Sequence, residues 1–422
     1  MATIFEKASL VLTHGVGYKV GALYAQYPYA DTAKFSLTRS SSSYRTTSCG
    51  VEEIVTNEPR IDFEDGIPHL SIQDTCQNLI VYSDLSNWNL NRVNRSLDSG
   101  ISPAGKINAT KVTVSQDYGE NTILISNGSG SGTYTYSVYA KEAGNRYLMI
   151  QIWTGSNDTD ICYMFDLEQG VAAANTTTYP NNGTPQISSI GDGWYRISVT
   201  GTIATTSSLQ TYLYTTNSTG YLGNSSRNGL GFYAYGAQLE KHHADGFLPS
   251  ALAYSSGSYV TTSRDEGVVG NFTPSSRRVT VYGHIRLRPE TSTQEGGFNI
   301  FGFVNGSTDQ YGIYFWGNDN NKFGFNSWNG DSYGISNSTI NDGNWHKVVG
   351  VFDFDDFTKN ELYIDGVKQS ISQTRGTTLQ RSAAPFSLAS PSPTDQDPKC
   401  DYREVMVFDQ ELTDAECITL ST

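Results

Sequence analysis

The residues with the clearest catalytic potential lie in the stretch DGNWHKVVGVFDFDD, at positions 342–356. It places His346 near Asp353, Asp355 and Asp356, and a histidine among carboxylates is a common composition of acid–base and metal sites. Positions seven residues apart on an extended strand are separated by about 23 Å. His346 and Asp353 therefore share a site only if the chain doubles back between them.

A related stretch occurs a second time in the chain. GDGWYRISVT, at residues 191–200, repeats the Asp-Gly, the tryptophan and a basic residue, but it has no histidine. We therefore interpret both stretches as an Asp-Gly turn that begins a β-strand. In this interpretation Trp345 fills a sandwich core, and the aspartates lie in the next loop.

The sequence contains none of the common catalytic motifs either. Glycoside hydrolysis requires two carboxylates at a fixed separation. The Glu-x-Asp-x-x-Glu strand of sandwich-fold glucanases does not occur in this chain, nor does Gly-x-Ser-x-Gly, His-Glu-x-x-His or a phosphate-loop sequence. The sequence thus predicts a protein that is not an enzyme and that uses no cofactor.

The segment 311–334 has the composition of a sugar-binding surface. Sugars present apolar C–H faces that stack on aromatic rings, and hydroxyls that need amide or carboxylate partners. The candidate carbohydrate-binding residues are Tyr314, Trp316, Asn318, Asp319, Trp328 and Asp331. The alternative is that the aromatic residues belong to a core and the Asn, Asp and Gly residues make hairpin turns. Acidic oxygens also suit Ca²⁺, but no EF-hand-like spacing occurs, so we predict no metal.

Charge and composition narrow the range of partners. The 422-residue chain has a formal net charge of −14, which repels phosphate backbones, so we expect no nucleic-acid partner. It has no long apolar run, and its opening MATIFEKASLVLTHG has no basic region before an apolar core. We therefore expect neither membrane insertion nor an export signal. The five cysteines are widely spaced without a CxxC pair, which favours reduced, buried thiols.

The elements that must position these residues are short β-strands. Alternating runs such as KVTVS, TYTYSVYA and WYRISVT recur between residues 79 and 265, with Gly-, Asn- and Ser-rich turns between them. In WYRISVT, the side chains of Tyr195, Ile197 and Val199 share one face, as in a half-buried antiparallel strand. The sequence therefore predicts an all-β protein with an antiparallel β-sandwich at residues 79–265.

A second antiparallel sandwich of the jelly-roll type is predicted at residues 270–422. Within it, Asp365-Gly366 in YIDGVK suits a two-residue type I′ hairpin turn. Thr413, followed three residues later by Glu416, predicts a capping box and a short terminal helix.

The first 78 residues differ in character from both sandwiches. Their serine run TRSSSSYRTTSCG predicts extended, weakly packed chain, and NEPRIDFEDG follows with a turn. We predict a small, mostly β or extended N-terminal region at residues 1–78 that serves attachment or oligomerisation.

Three stretches near the C-terminus occur in a specific order: DGNWHKVVGVFD from residue 342, ELYIDGVKQ from 361 and YREVMVFDQELTDAE from 402. Together they resemble a concanavalin A-like, laminin-G-type lectin domain. The resemblance implies a β-sandwich that binds sugar. The acidic calcium ligands of some such domains have no matching residues here, so it implies no metal.

FSLTRSSSSYR, QNLIVYSDLSNW, GDGWYRISVTGT, YAYGAQLEK and GSYVTTSRDE all occur before residue 268. They resemble the lead-in and the carbohydrate-binding-module-like jelly roll of bacteriophage head-fibre, tail-fibre and tailspike proteins, and the resemblance assigns that β-sandwich to residues 79–265. The resemblance implies a protein of the virion surface, made in the cytoplasm of the host bacterium and usually a homotrimer. It also implies attachment to capsid or tail proteins through the N-terminal region and adhesion to host surface polysaccharide.

The sequence thus predicts a phage fibre or spike protein that mediates adhesion to glycans. Three alternatives stay open: a purely structural capsid or tail decoration protein, a polysaccharide-depolymerising spike, and a secreted bacterial adhesin. A depolymerising spike requires two carboxylates about 5–10 Å apart in a groove.

Overall fold

The structure is a computed structural model that describes residues 4–13, 18–19, 22–24, 34–47, 50–64, 66–73, 75–116, 119–155, 160–173, 182–204, 208–217, 227–242, 249–250, 252–262, 265–287, 297–305, 309–316, 322–327, 332–336, 338–375, 384–390 and 400–422. The chain divides into two compact units. The terminal unit comprises residues 1–42, 54–75 and 263–422, and the central unit comprises residues 43–53 and 76–262.

The strands, in chain order, are β1 (Leu10–Thr13), β2 (Tyr18–Lys19), β3 (Ala22–Tyr24), β4 (Lys34–Thr38), β5 (Ser43–Thr47), β6 (Gly50–Ile54), β7 (Ile61–Glu64), β8 (Ile67–Ile72), β9 (Cys76–Asn78), β10 (Asn89–Asn91), β11 (Val93–Ile101), β12 (Ile107–Val114), β13 (Thr122–Ser126), β14 (Gly132–Ala143), β15 (Tyr147–Trp153), β16 (Ile161–Asp166), β17 (Val171–Ala173), β18 (Thr184–Gly191), β19 (Trp194–Ile203), β20 (Gln210–Thr216), β21 (Gly231–His242), β22 (Val260–Thr262), β23 (Glu266–Gly270), β24 (Arg278–Leu287), β25 (Gly297–Asn305), β26 (Asp309–Trp316), β27 (Lys322–Ser327), β28 (Ser332–Ser336), β29 (Trp345–Asp353), β30 (Glu361–Ile364), β31 (Val367–Lys368), β32 (Ile371–Arg375), β33 (Phe386–Ser390) and β34 (Cys400–Phe408). A helix, α1 (Asp414–Ser421), follows β34, and 3₁₀ turns occur at Ile4–Lys7 and Phe357–Lys359.

The central unit is a sandwich of two six-stranded antiparallel sheets. Their strand orders are β10-β13-β20-β15-β16-β17 and β11-β12-β21-β14-β19-β18. The core includes Ile123, Val138, Leu148, Ile150, Phe165, Leu213, Phe232 and Leu239. In β19, Ile197 and Val199 are fully buried in this core and Tyr195 packs against it, so the alternation predicted from WYRISVT is confirmed. The all-β fold class is confirmed as well.

A β-bulge in β21 changes which of its side chains face the core. Ala234 lies in the sandwich core before the bulge, and Ala237 lies there after it. Between them Gly236 has a φ of +63°, and the pairing of β21 with β14 shifts register. The positions that face the sandwich core therefore change from even to odd numbers, which leaves both Tyr235 and Gln238 on the outer face of the sheet.

The terminal unit contains two larger antiparallel sheets. One has the order β31-β30-β29-β24-β34-β8-β7, with β1 also paired to β34, and the other has the order β2-β3-β4-β23-β33-β25-β26-β27-β28-β32. Both contribute to one core, which includes Phe35, Val281, Ile285, Phe301, Phe303, Phe325, Phe352, Phe386 and Val405. A second cluster joins Cys417 and Leu420 of α1 to Val349, Tyr363 and Met406.

The N-terminal segments are strands of the terminal unit and do not form a region of their own. Strand β34 pairs with β24 along one edge. Along its other edge it pairs first with β8, where Tyr402 faces Leu70, and then with β1, where Val407 faces Leu10. These pairings satisfy backbone groups that an open edge would leave exposed. The structure therefore divides the chain differently from the predicted separation at residue 78.

A buried ionic cluster also ties these segments together. Arg39 Nη1 donates to Asp265 Oδ1 at 2.9 Å, and Arg60 Nη1 donates to Asp265 Oδ2 at 2.5 Å. All three side chains are essentially excluded from solvent. Burial lowers the pKa of Arg39, and the Asp265 carboxylate opposes that shift. The cluster joins three segments that are distant in sequence.

Two local predictions are confirmed. Asp365 and Gly366 have φ angles of +47° and +79° in the two-residue turn between β30 and β31. Thr413 caps α1, and both hydrogen bonds of a capping box with Glu416 are present. The cysteines among the described residues are buried, namely Cys76, Cys162, Cys400 and Cys417. Within the described ranges, no helix has the length and apolarity needed to cross a bilayer.

Candidate functional site

A cavity of about 640 Å³ opens in the central unit. We call it the tyrosine cleft and define it by Tyr44, Tyr235, Tyr254, Glu53, Lys106 and Asn108, which line it. The hairpin β5–β6, the turn between β11 and β12, strand β21 and the segment around residue 254 supply these side chains. Pockets for small ligands are typically about 300–1,000 Å³, so the cleft has the size of a ligand site.

Stacked tyrosine rings form one part of the cleft. The ring centroids of Tyr235 and Tyr254 are 5.1 Å apart, with 28° between the ring planes. Tyr139 packs on Tyr235 at 6.1 Å, and the Arg196 guanidinium lies 5.4 Å from the centroid of Tyr139. Trp194 is buried in the same cluster. The rings are held by packing, so little side-chain entropy remains to be lost when a ligand binds.

The hairpin β5–β6 brings Tyr44 to the cleft. Ser43 and Arg45 are buried while Tyr44 between them is half-buried, which is the alternation of a packed strand. Arg45 Nη2 donates to Glu52 Oε2 at 2.8 Å across the hairpin. The prediction of a weakly packed serine run is therefore wrong for this part, because the alternating side chains give the strand a buried face.

The turn between β11 and β12 closes against that hairpin. The Val51 N–H donates to the Pro103 carbonyl at 2.7 Å. Gly50 has a φ of +132°, and a Cβ at this position would lie 2.0 Å from the Pro103 oxygen. Only glycine permits this approach, so residue 50 sets the distance between the two walls.

The tyrosines of the cleft are neutral at physiological pH. Burial and the nearby Glu53 carboxylate raise the pKa of Tyr44 to about 12. Burial raises the pKa of Tyr235 and Tyr254 further, and the carboxylates of Asp84 and Asp98 add to the effect at Tyr254. Each phenol therefore stays protonated and offers both a donor and an acceptor to a ligand.

Asn108 adds an amide to this group of phenols. Its side chain hydrogen-bonds to Tyr235, while its carbonyl oxygen Oδ1 is buried and accepts no hydrogen bond from the described residues. A buried acceptor without a donor costs about 1–3 kcal/mol.

The sequence-predicted sugar-binding residues lie elsewhere, in the terminal unit. Asn318, Asp319, Trp328 and Asp331 lie outside the described residues. Tyr314 and Trp316 belong to β26, where their backbones pair with Asn299 and Gly297 of β25 and with Gly324 and Lys322 of β27, but their side chains lie outside the description. This loop stays a prediction.

The structure confirms the structural interpretation of the histidine stretch. His346 hydrogen-bonds to Asp365 Oδ2 at 2.6 Å and to Asp342 Oδ1 at 3.0 Å, and both aspartates lie in turns. Asp353 instead accepts the backbone N–H groups of Asp355 and of the next residue, which fixes the turn after β29. The histidine therefore joins two turns of the terminal unit.

The prediction that Trp345 fills a sandwich core is wrong. Its half-buried ring carries the guanidinium groups of Arg403 and Arg286, at 4.0 Å and 4.8 Å from the ring centroid. Its Nε1–H donates to Glu64 Oε2 at 2.7 Å, and Glu64 also accepts from Arg286 Nη1 at 2.8 Å. The tryptophan therefore packs against two guanidinium groups that are themselves largely buried, with side-chain exposures of 9% for Arg286 and 15% for Arg403.

Sequence reasoning missed the residues of the tyrosine cleft. One signal was available in GFYAYGAQLE, where a glycine interrupts the alternation and the apolar positions change parity. This pattern indicates a bulge, with Tyr235 on the outer face before it. No local signal places Tyr44 beside Tyr235, because nearly 200 residues separate them.

Comparison with known proteins adds a family match for one part of the chain. Residues 256–417 match the model of the concanavalin A-like lectin/glucanases superfamily (Laminin_G_3). Most of the matched segment belongs to the terminal unit. The C-terminal part of the chain is therefore similar to lectin-type β-sandwiches of the laminin-G class. No curated protein matches the chain.

Several solved structures are similar over parts of the chain. Domain 4 of AbnA, an arabinanase from Geobacillus stearothermophilus in complex with arabinotriose, is 17% identical over 38% of this chain and 73% of that one, with a TM-score of 0.28. The CBM40 of the Ruminococcus gnavus IT-sialidase is 11% identical over 35% of this chain and 83% of that one, with a TM-score of 0.26. Domains LG4-5 of the mouse laminin alpha1 chain are 13% identical over 71% and 92%, with a TM-score of 0.20.

Proposed function

We propose that the chain is a non-catalytic adhesin that binds carbohydrate, and that the tyrosine cleft is one of its binding sites. The observation that carries this proposal is the cleft itself, in which three neutral tyrosines, an amide and a carboxylate surround a cavity of ligand size. Aromatic faces suit the C–H surface of a pyranose ring, and the phenols, Asn108 and Glu53 suit its hydroxyls. The lectin-type family match of residues 256–417 supports the same function for the other unit.

The predicted loop in the terminal unit is the second site of this proposal. Tyr314 and Trp316 stand two residues apart in β26, and Trp328 follows β27, with which β26 pairs. Two weak sites on one chain, repeated in a homotrimer, raise the avidity by about 10²–10⁴ over a single site.

The setting that we propose is the surface of a bacteriophage particle. The stretches that resemble fibre and spike proteins support it, as does the expectation of a chain made in the bacterial cytoplasm. Contact with capsid or tail proteins would use the N-terminal segments. Because these segments are strands of the terminal unit, such contacts would use its exposed surface rather than a separate arm.

The first experiment measures binding of the purified chain to a panel of bacterial surface polysaccharides, with release of reducing ends followed in the same wells. Binding without release is expected for an adhesin. Release of reducing ends would replace it by the depolymerising spike. Absence of binding to the whole panel, also with the oligomeric protein, would leave the purely structural decoration protein.

Matched variants then assign the binding to a site. Tyr254→Ala removes one of the stacked rings and is expected to weaken binding about tenfold or more, since contacts of buried aromatic residues dominate recognition. Tyr259→Ala is the control, because Tyr259 is 58% exposed and lies outside the cleft. Trp316→Ala and Trp328→Ala test the loop of the terminal unit in the same assay. If Tyr254→Ala binds as the parent does, the cleft is not the site.

A further inference from the structure

We infer that the tyrosine cleft selects sugars that carry a free amino group, and that Glu53 is the residue that makes the selection. This inference rests on the proposed function and names the ligand class of the same site. An ammonium group is attracted both to the face of an aromatic ring and to a carboxylate, and the cleft presents the two together.

The first observation concerns the position of Glu53 in the cleft. Glu53 is exposed, lines the cleft and acts electrostatically on Tyr44. It makes no ion pair with any residue in the described part of the chain. Its neighbour Glu52 differs, because Arg45 Nε and Nη2 hold that carboxylate at 3.0 Å and 2.8 Å. Of the two carboxylates on β6, Glu53 is therefore the one whose charge is left for a ligand.

The second observation concerns the electrostatic field around the three tyrosines of the cleft. The charged groups that act on the cleft phenols are all acidic, namely Glu53 on Tyr44, and Asp84 and Asp98 on Tyr254. Lys106 also lines the cleft as an exposed cation, whereas Glu52 and Glu53 both contribute carboxylates to the same lining. A ligand stacked on these rings therefore lies in a negative potential, which favours an ammonium group and opposes a carboxylate.

The third observation is that the phenols of the three cleft tyrosines are neutral. A deprotonated phenolate would hold a cation without any need for a nearby carboxylate, but the phenols remain protonated and contribute only their faces and hydroxyls. Recognition of a charged ligand at the cleft wall thus falls chiefly to Glu53, which is exposed and lines the cleft. Acetylation of the ligand amine would remove its charge and with it this contribution.

The test compares oligomers of one sugar that differ only at the amine. Glucosamine oligomers, their N-acetylated counterparts and uronate oligomers of the same length are titrated into the full chain at physiological ionic strength. We expect the glucosamine oligomer to bind about three- to fivefold more tightly than the N-acetylated one, as for an exposed ion pair, and the uronate to bind most weakly.

Two variants with the same change in net charge separate recognition from general attraction to an acidic protein. Glu53→Gln is expected to lose most of the preference, whereas Glu411→Gln, which removes an exposed carboxylate from the terminal unit, is expected to keep it in full. Equal loss in both variants, or tighter binding of the N-acetylated or uronate oligomer, overturns the inference. Tight uronate binding that is lost in Tyr254→Ala would overturn the inference but leave the proposed function intact. Failure of every sugar to bind would overturn both the inference and the proposed function.

Discussion

The two units use the same Asp-Gly-Trp signature for different ends. In the central unit, Asp192 and Gly193 have φ angles of +50° and +74° in the turn between β18 and β19, and Trp194 is only 4% exposed in the cluster that supports the cleft. In the terminal unit, Trp345 stays half-buried and carries two guanidinium groups.

The difference comes from the neighbouring strands. Trp194 packs in one cluster with Tyr139 of β14 and Tyr235 of β21, which exclude water from its ring. Trp345 pairs with Arg286 of β24 and has Arg403 of β34 over its ring. A turn signature therefore fixes where a strand begins, but the partner strands decide whether the tryptophan packs in an aromatic cluster or against guanidinium groups.

The largest expected effect is a loss of stability when a buried charge of the terminal unit is removed, compared with removal of an exposed charge. Asp265→Asn leaves Arg39 and Arg60 without a compensating charge, and loss of one partner from a buried ion pair costs about 3–5 kcal/mol. Asp355→Asn is the control, because Asp355 pairs with Arg277 on the surface and an exposed pair contributes about 1 kcal/mol or less. Urea unfolding of both variants measures the difference, and equal destabilisation would contradict the buried cluster.

Trp194→Ala tests whether the tryptophan of the central unit supports both fold and cleft. Truncating a buried aromatic residue creates a cavity, so we expect a loss of about 3 kcal/mol in the free energy of unfolding. Polysaccharide binding should fall as well, since Trp194 packs in the cluster that contains Tyr235. Calorimetry and the binding assay together check this, and Trp194→Phe, which keeps an aromatic ring, should recover most of both losses.

Trp345→Ala should have a smaller effect that is confined to stability. A cation over an aromatic ring contributes about 0.5–2 kcal/mol, so we expect a loss of about 1–2 kcal/mol without a change in binding to the cleft. Trp345→Phe separates the ring from the indole N–H that donates to Glu64. If Trp345→Ala weakens cleft binding as strongly as Trp194→Ala does, the proposed contrast between the two tryptophans is wrong.

The smallest effect concerns pH. Burial lowers the pKa of His346, but its hydrogen bonds to Asp365 and Asp342 outweigh burial and raise the pKa above the ordinary value. A raised folded-state pKa gives stability that is fully present below the unfolded value of about 6.5 and is lost as pH rises through the folded value. Thermal unfolding between pH 6 and 9 should show this loss, of about 1 kcal/mol or less. His346→Gln should remove it; an unchanged pH profile in that variant would exclude the histidine as its source.

The sequence allowed prediction of features that depend on residues close along the chain. The Asp365-Gly366 turn needs two positive φ angles, and the Thr413 cap needs a glutamate three residues later; both requirements are visible in a few letters. The alternation of β19 likewise shows its buried face.

Features that depend on distant partners could not be predicted in this way. Nothing in the sequence of β34 shows that β1 and β8 pair with its free edge, because strand register between distant segments depends on the complete fold. The cleft is of the same kind, since Tyr44 and Tyr235 meet only after the hairpin β5–β6 has packed on the central sandwich. A fold class follows from local pattern, whereas this site follows from non-local pairing.

The pairing of β34 with the N-terminal strands has a consequence for synthesis. Ser9 Oγ accepts the backbone N–H of Asp409, 400 residues later. At a translation rate of about 5–20 residues per second, β1 emerges from the ribosome roughly 20–80 s before its partner. The central unit can fold during that interval and β8 can pair with β7, while β1 has no partner strand and depends on the nascent chain avoiding other strand edges. Faster translation of the residues between β1 and β34 would therefore shorten the time for which β1 lacks its partner.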